Sequence, residues 1–174
     1  MTTVYVPKDS AAVSVGADEV ASALSLTEGT TVVRTGSRGM LWLEPLVEVD
    51  TPRGRVGYAN VSADTVGSLV QRGMLEGADS PECVGVVDEH PWLDRQQRVS
   101  FARVGVIDPT SIASYERHGG WAGLRRALGM DPAAVVEEVV TSGLRGRGGA
   151  GFPTGIKWRT VAGAESDLKF IACN

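Results

Sequence analysis

The run Gly143-Leu-Arg-Gly-Arg-Gly-Gly-Ala-Gly-Phe-Pro-Thr-Gly155, followed by Ile156, Lys157 and Trp158, gathers the residue types best suited to chemistry in this chain. Six of its thirteen residues are glycine, Arg145, Arg147 and Lys157 add positive charge, and no acidic residue intervenes. Glycine lacks a Cβ and tolerates positive φ, so backbone N–H groups in such a loop approach a bulky anion closely. Successive N–H groups in tight turns form a concave anion site, and basic side chains reinforce it. The pattern therefore predicts recognition of a phosphate-bearing ligand. A P-loop is excluded, because no Gly-Lys-Ser/Thr occurs. Gly146-Arg-Gly148-Gly-Ala-Gly151 has the letters of a dinucleotide fingerprint, but a helix pattern, not a strand, precedes it. On spacing alone, a glycine-rich turn without a ligand stays open beside the anion site.

The elements that must hold this loop are legible on both sides. Asp131-Pro132 reads as an N-cap with proline at the first helical position. The helix it opens runs to about Thr141, with Val135, Val136, Val139 and Val140 as its apolar stripe and Glu137 and Glu138 on the solvated side. After the loop, Trp158 to Ala162 is expected as a short helix and Lys169–Asn174 as a strand. Upstream, Val4–Val6 and Thr31–Arg34 read as strands, with a helix over 17–25 between them. Leu46–Val49 and Gly54–Tyr58 form a hairpin about Asp50-Thr-Pro-Arg-Gly54, and Ser62 caps a helix over 63–72. The order β-α-β-β-β-α is that of a thioredoxin-like α/β domain. Residues 76–98 read as a linker and Val99–Ile107 as β-prone.

Bulk composition narrows the class. The chain has 174 residues, 43% hydrophobic and 22% charged, with a net charge of −4. That composition is globular, and the charge argues against a general nucleic-acid binder. No apolar run reaches membrane-spanning length and the start lacks a signal-peptide pattern, so the expectation is a cytoplasmic protein with no membrane partner. The two cysteines, Cys83 and Cys173, lie too far apart in sequence for a disulfide framework or metal pair. His90 and His118 have no ligand-like spacing.

The full wording of Ser142–Trp158 is more specific than its spacing. It resembles the signature of the FMN- and NADH-binding subunits of complex I, NAD-reducing hydrogenases and NAD-dependent formate dehydrogenases. Tyr115-Glu-Arg-His-Gly-Gly-Trp121, Leu124-Arg-Arg-Ala-Leu128 and the terminal Ile171-Ala-Cys-Asn174 are similar too. The resemblance covers about residues 98–174, and Gln97–Asp108 looks most like the formate dehydrogenase flavin (beta) subunit. It implies a cofactor site of Gly146, Arg147, Gly148, Gly149, Gly151, Phe152, Lys157 and Asn174. Phe152 would stack on the NADH adenine, and a second stacking aromatic of some relatives falls at Thr160. Lys157 and Asn174 would contact FMN. A cation there either stabilises the reduced flavin or fixes the phosphate, and both options stay open. No general acid or base and no metal ligand is implied.

Residues 1–75 resemble the thioredoxin-like [2Fe–2S] subunit of the same enzymes. The four ligand positions fall at Pro7, Ala12, Ser37 and Leu41, none of them cysteine, so thiolate ligation is excluded. The expected organisation is thus a thioredoxin-like docking domain (1–75) without cluster cysteines, a linker (76–98), and the truncated start of an FMN-binding Rossmann-like α/β domain (99–174). The resemblance further implies FMN and NAD(H) as cofactors, with a [4Fe–4S] cluster only in a C-terminal part beyond Asn174. Its implied partners are a [2Fe–2S] gamma-type subunit and a molybdenum-containing formate dehydrogenase catalytic subunit. The 174 residues by themselves are expected to lack stable diaphorase activity. The alternatives are the flavin subunit of a hydrogenase or of complex I, and a non-catalytic docking module.

Overall fold

A computed structural model describes residues 1–172 of the chain. The order is β1 (Thr2–Pro7), α1 (Ser10–Val13), α2 (Ala17–Ser25), β2 (Thr30–Thr35), β3 (Val47–Thr51), β4 (Gly54–Tyr58), α3 (Ala63–Gln71), β5 (Cys83–Val86), α4 (Pro91–Asp94), α5 (Ile112–Arg117), α6 (Ala122–Leu128), α7 (Pro132–Thr141) and α8 (Thr154–Gly163). These elements fall into two compact units, Met1–Gly119 and Gly120–Asn174.

The first unit is built on a five-stranded sheet of order β2-β1-β3-β4-β5. β1 and β2 are parallel, joined through the crossover helices, and β3, β4 and β5 continue antiparallel. This is the thioredoxin-like α/β arrangement expected from the element order. Strand alternation sorts its faces. Val4, Val6, Val47, Val49, Val56 and Tyr58 point to one side, where Val20 and Leu24 of α2 and Val66 and Leu69 of α3 cover them. α3 starts where expected: the Ser62 N–H donates to Thr65 Oγ1 at 3.0 Å.

The opposite face carries Tyr5, Glu48, Asp50 and Arg55, brought side by side by the register Tyr5↔Glu48 and Asp50↔Arg55. The Arg55 guanidinium lies 3.3 Å from the Tyr5 ring centroid and 3.6 Å from carboxylate oxygens of Glu48 and Asp50. A second apolar cluster, Met40, Leu46, Val87 and Leu93, caps the remainder. Gly57 makes this possible, since a Cβ there would lie 2.7 Å from Val87 Cγ2.

Two stretches differ from the sequence reading. Residues 76–98, read as a linker, contain β5, which pairs with β4 through Val56↔Val86 and Gly57↔Gly85. Gly85 sits at φ 78°, so the strand signal is short and broken by glycine. Val99–Ile107, read as β-prone, is a chain of turns. Its backbone groups are satisfied locally, Val104 N–H donating to Phe101 O and Val106 N–H to Arg103 O, each at 3.0 Å.

In the second unit the described residues form α6, α7 and α8 and one isolated bridge, Arg145↔Pro153. The expected strand over Lys169–Asn174 shows no pairing at 169–172, and its last two residues lie outside the described ones.

Candidate functional site

The glycine loop hangs between α7 and α8, and its ends are fixed by hydrogen bonds. Asp131 caps α7, its Oδ1 accepting from the Ala133 N–H at 2.9 Å, with Pro132 following. Gly143 at φ 65° turns the chain out of α7, its N–H donating to Val140 O at 3.1 Å. The loop then closes on itself. Thr154 N–H donates to Leu144 O at 2.8 Å, Gly146 N–H to Phe152 O at 2.9 Å, and Arg145 Nε to Gly151 O at 2.6 Å. The result is a pinched hairpin with Arg147, Gly148, Gly149 and Ala150 at its exposed tip.

At that tip the N–H groups of Arg147, Gly148, Gly149 and Ala150 have no hydrogen-bond acceptor among the described residues. Arg147 likewise makes no ion pair or hydrogen bond there, and Lys157 has no carboxylate partner among them. Elsewhere in the unit Arg159 holds Glu137 at 2.7 and 3.0 Å, and Arg126 holds Glu138 at 3.0 Å. Glu137 and Glu138 are thus surface ion-pair partners on the solvated side of α7.

Phe152 and Lys157 come together. Lys157 Nζ lies 5.6 Å from the Phe152 ring centroid. With Ile156, Thr160 and Val161 they line a hollow of about 460 Å³. Thr160 therefore stands on the same hollow as Phe152. Asn174, also expected at the site, lies outside the described residues.

Sequence reasoning passes over two features. Gly155 is buried, and a Cβ on it would lie 2.5 Å from Val140 Cα, so this glycine sets the close packing of α8 on α7. A second hollow of about 460 Å³ runs between α7, α8 and the following segment, lined by Val136, Trp158, Val161, Lys169 and Phe170. The sequence pattern places Lys169 only in a strand, although its charge beside an aromatic residue is a legible signal.

The four positions implied for an iron–sulfur cluster are differently occupied. Ser37 Oγ donates to Glu44 Oε1 at 2.6 Å, and Glu44 Oε2 accepts from Leu46 N–H at 2.8 Å. Burial pushes the Glu44 carboxyl above its ordinary value, against the opposing pull of these two hydrogen bonds. Ala12 is core, Leu41 is exposed, and Lys8, next to Pro7, donates to Asp108 and Thr110 at 2.8 and 2.6 Å. Among the described residues no group of His, Cys, Asp or Glu is placed to hold a metal ion.

Comparison with known proteins finds relatives of part of this chain. The chain is 51% identical over 80 residues to the NADP-reducing hydrogenase subunit HndC of Solidesulfovibrio fructosivorans, covering 46% of this chain and 16% of that one. It is 48% identical over 77 residues to an NADH-quinone oxidoreductase subunit of Rhizobium meliloti, covering 44% and 18%. It is 53% identical over 51 residues to the alpha subunit of the NAD-reducing hydrogenase HoxS of Cupriavidus necator, covering 29% and 8%. Part of this chain is homologous to these subunits. It spans less than a fifth of the length of each. No family model matches.

Among solved structures, a thioredoxin-like [2Fe-2S] ferredoxin from Aquifex aeolicus covers 49% of this chain and 97% of its own, at 20% identity and TM-score 0.40. An NAD+-reducing [NiFe]-hydrogenase covers 91% of this chain and 26% of its own, at 21% identity and TM-score 0.35. The fold assignment rests on the strand order and pairing described above.

Proposed function

We propose that this chain carries the cofactor loop of a flavin-bearing subunit in an NAD(P)-linked oxidoreductase of the hydrogenase or NADH–quinone oxidoreductase type. The supporting observation is the identity over 80 residues to a hydrogenase subunit, with the physical match supplied by the unpaired donors of the loop. FMN presents a dianionic phosphate and a planar ring with polar edges. The N–H groups of residues 147–150 and the Arg147 guanidinium suit an anion of that kind. The Lys157 ammonium and the Phe152 ring offer a cation and a stacking face on one hollow. When bound, the flavin supplies hydride exchange with NAD(H) and single-electron transfer to iron–sulfur centres. The residues of this chain bind and orient it, and Lys157 offsets negative charge on the ligand. None acts as a general acid or base.

Within this reading, the relatives favour the hydrogenase or quinone-oxidoreductase alternative over the formate dehydrogenase assignment suggested by Gln97–Asp108. Metal and subunit analysis of the complex that co-purifies with the chain separates them. Nickel marks a nickel–iron hydrogenase, molybdenum a formate dehydrogenase, and a co-purifying membrane arm a quinone-linked enzyme. The thioredoxin-like first unit, without cluster ligands, acts in such a complex as a docking body. The cofactor assignment is tested by titrating the chain with FMN. Quenched flavin fluorescence supports it; FMN fluorescence unchanged by the protein overturns it.

A further inference from the structure

A second candidate site lies in the first unit and is independent of the flavin reading. Its scaffold is α4, which the sequence locks in place. His90 caps the helix, its Nδ1 accepting from the Trp92 N–H at 3.2 Å, and Pro91 fixes the first turn. Leu93 is buried in the cluster with Met40, Leu46 and Val87. With that residue turned inward, Trp92, Arg95 and Gln96 share an outward face, as helical spacing requires.

That face meets Trp42. The two indoles pack edge to face with centroids 5.2 Å apart, yet Trp42 remains 55% and Trp92 51% exposed. They line a cleft of about 460 Å³ with His90, Arg95 and Gln96. Through Trp92 and Gln96 the cleft runs into a second groove of about 350 Å³, floored by Leu41, Phe101 and Val104. Tryptophan, with tyrosine and arginine, is enriched among the energetic anchors of protein interfaces.

The charge around the cleft selects its occupant. Residues 1–119 carry sixteen Asp or Glu against ten Lys or Arg, so the unit is acidic. Nevertheless no carboxylate lines either hollow; the ionised side chains there are Arg38, Arg95 and Arg98. Arg38 is already held by Glu48 and Asp88. Arg98 donates to the Val104 carbonyl at 3.0 Å, and Arg95 has no partner among the described residues. A symmetric contact with a second copy centred on the cleft would set its arginines against one another.

We propose that this cleft docks an acidic segment of a partner protein, which inserts a bulky apolar side chain beside Trp42 and Trp92 and sets a carboxylate against Arg95. The partner's carboxylate meets a guanidinium fork that is free to donate two hydrogen bonds to it.

The experiment is selection of random peptides displayed on phage against the intact chain, followed by fluorescence anisotropy of the enriched peptides. The expected winners carry Asp or Glu next to Trp, Phe or Pro and change the near-ultraviolet circular dichroism of the tryptophan pair. Their affinity falls about tenfold or more in Arg95→Glu, with far-ultraviolet dichroism unchanged, and weakens with salt. Failure to enrich any peptide, winners without acidic residues, or equal binding to Arg95→Glu would overturn the proposal. So would a dimer, seen by sedimentation, that Arg95→Glu dissolves, since the occupant would then be a second copy. None of these results bears on FMN binding at residues 147–150, so the two readings fail separately.

Discussion

Arg38 is the residue whose charge the fold can least spare. It is 5% exposed, and its Nε and NH2 groups hold the two Glu48 oxygens at 2.8 Å each while NH1 reaches Asp88 at 3.0 Å. Burial works against its charge, but the Glu48 carboxylate outweighs that and holds the guanidinium above its ordinary pKa. Truncation would leave the buried Glu48 carboxylate only the longer, 3.6 Å pair with Arg55. Arg38→Ala should therefore cost about 3–5 kcal/mol in urea unfolding, while Arg38→Met with Glu48→Leu recovers most of the loss. Equal destabilisation by both variants would contradict this account. In the sequence Arg38 is only part of a Gly-Ser-Arg-Gly loop, because an ion pair between a loop and β3 depends on register that no local pattern reveals. The loop cations Arg147 and Lys157 are legible for the opposite reason: their significance lies in neighbours close in sequence.

At the scale of elements, helix ends and packing faces follow from local rules. The helix over 17–25 and the caps at Ser62 and Asp131 come from residue chemistry alone. Asp131→Ala should lower the stability of the second unit by about 1 kcal/mol, read as a lower midpoint in thermal melting. Gly155→Ala is more severe, because the new methyl meets the α7 backbone at 2.5 Å. Separating α8 from α7 should cost about 1–3 kcal/mol; an unshifted melt would show that the helices do not pack this closely. β5 and the 99–107 turns are not legible, since their conformations depend on which sheet edge is available.

Asp108 ties this turn segment to the end of β1. Its hydrogen bond from Lys8 is the main cause holding the carboxyl down to about 2, against an ordinary value of 3.8. A depressed folded pKa contributes stability above the unfolded value, and that contribution disappears as pH falls through the folded one. Asp108→Asn should thus be less stable than wild type by about 1 kcal/mol at neutral pH, after allowance for solvent screening. The gap should close between about pH 4 and pH 2. A gap that stays constant with pH would assign the effect to shape instead of charge.

At the scale of the whole chain, charge and chemistry are divided unevenly. Residues 1–119 are acidic, whereas residues 120–174 hold seven Lys or Arg against five Asp or Glu. The loop proposed to bind an anion lies in the basic unit. The thioredoxin-like unit packs α2 and α3 on its sheet, and the four positions that the resemblance implies for cluster ligands are Pro7, Ala12, Ser37 and Leu41, none of them a thiolate. The fold of the first unit is readable because alternation and turn chemistry repeat over many residues. The proposed cofactor role of the loop rests on its specific wording. The central claim, that Arg147–Ala150 cradle the FMN phosphate, is tested most directly by amide chemical shifts in a nitrogen-15 NMR titration. FMN should move the amides of Arg147, Gly148, Gly149 and Ala150 ahead of others, and riboflavin, which lacks the phosphate, should leave them nearly still. Loop amides that ignore FMN, or that respond equally to riboflavin, would contradict the account.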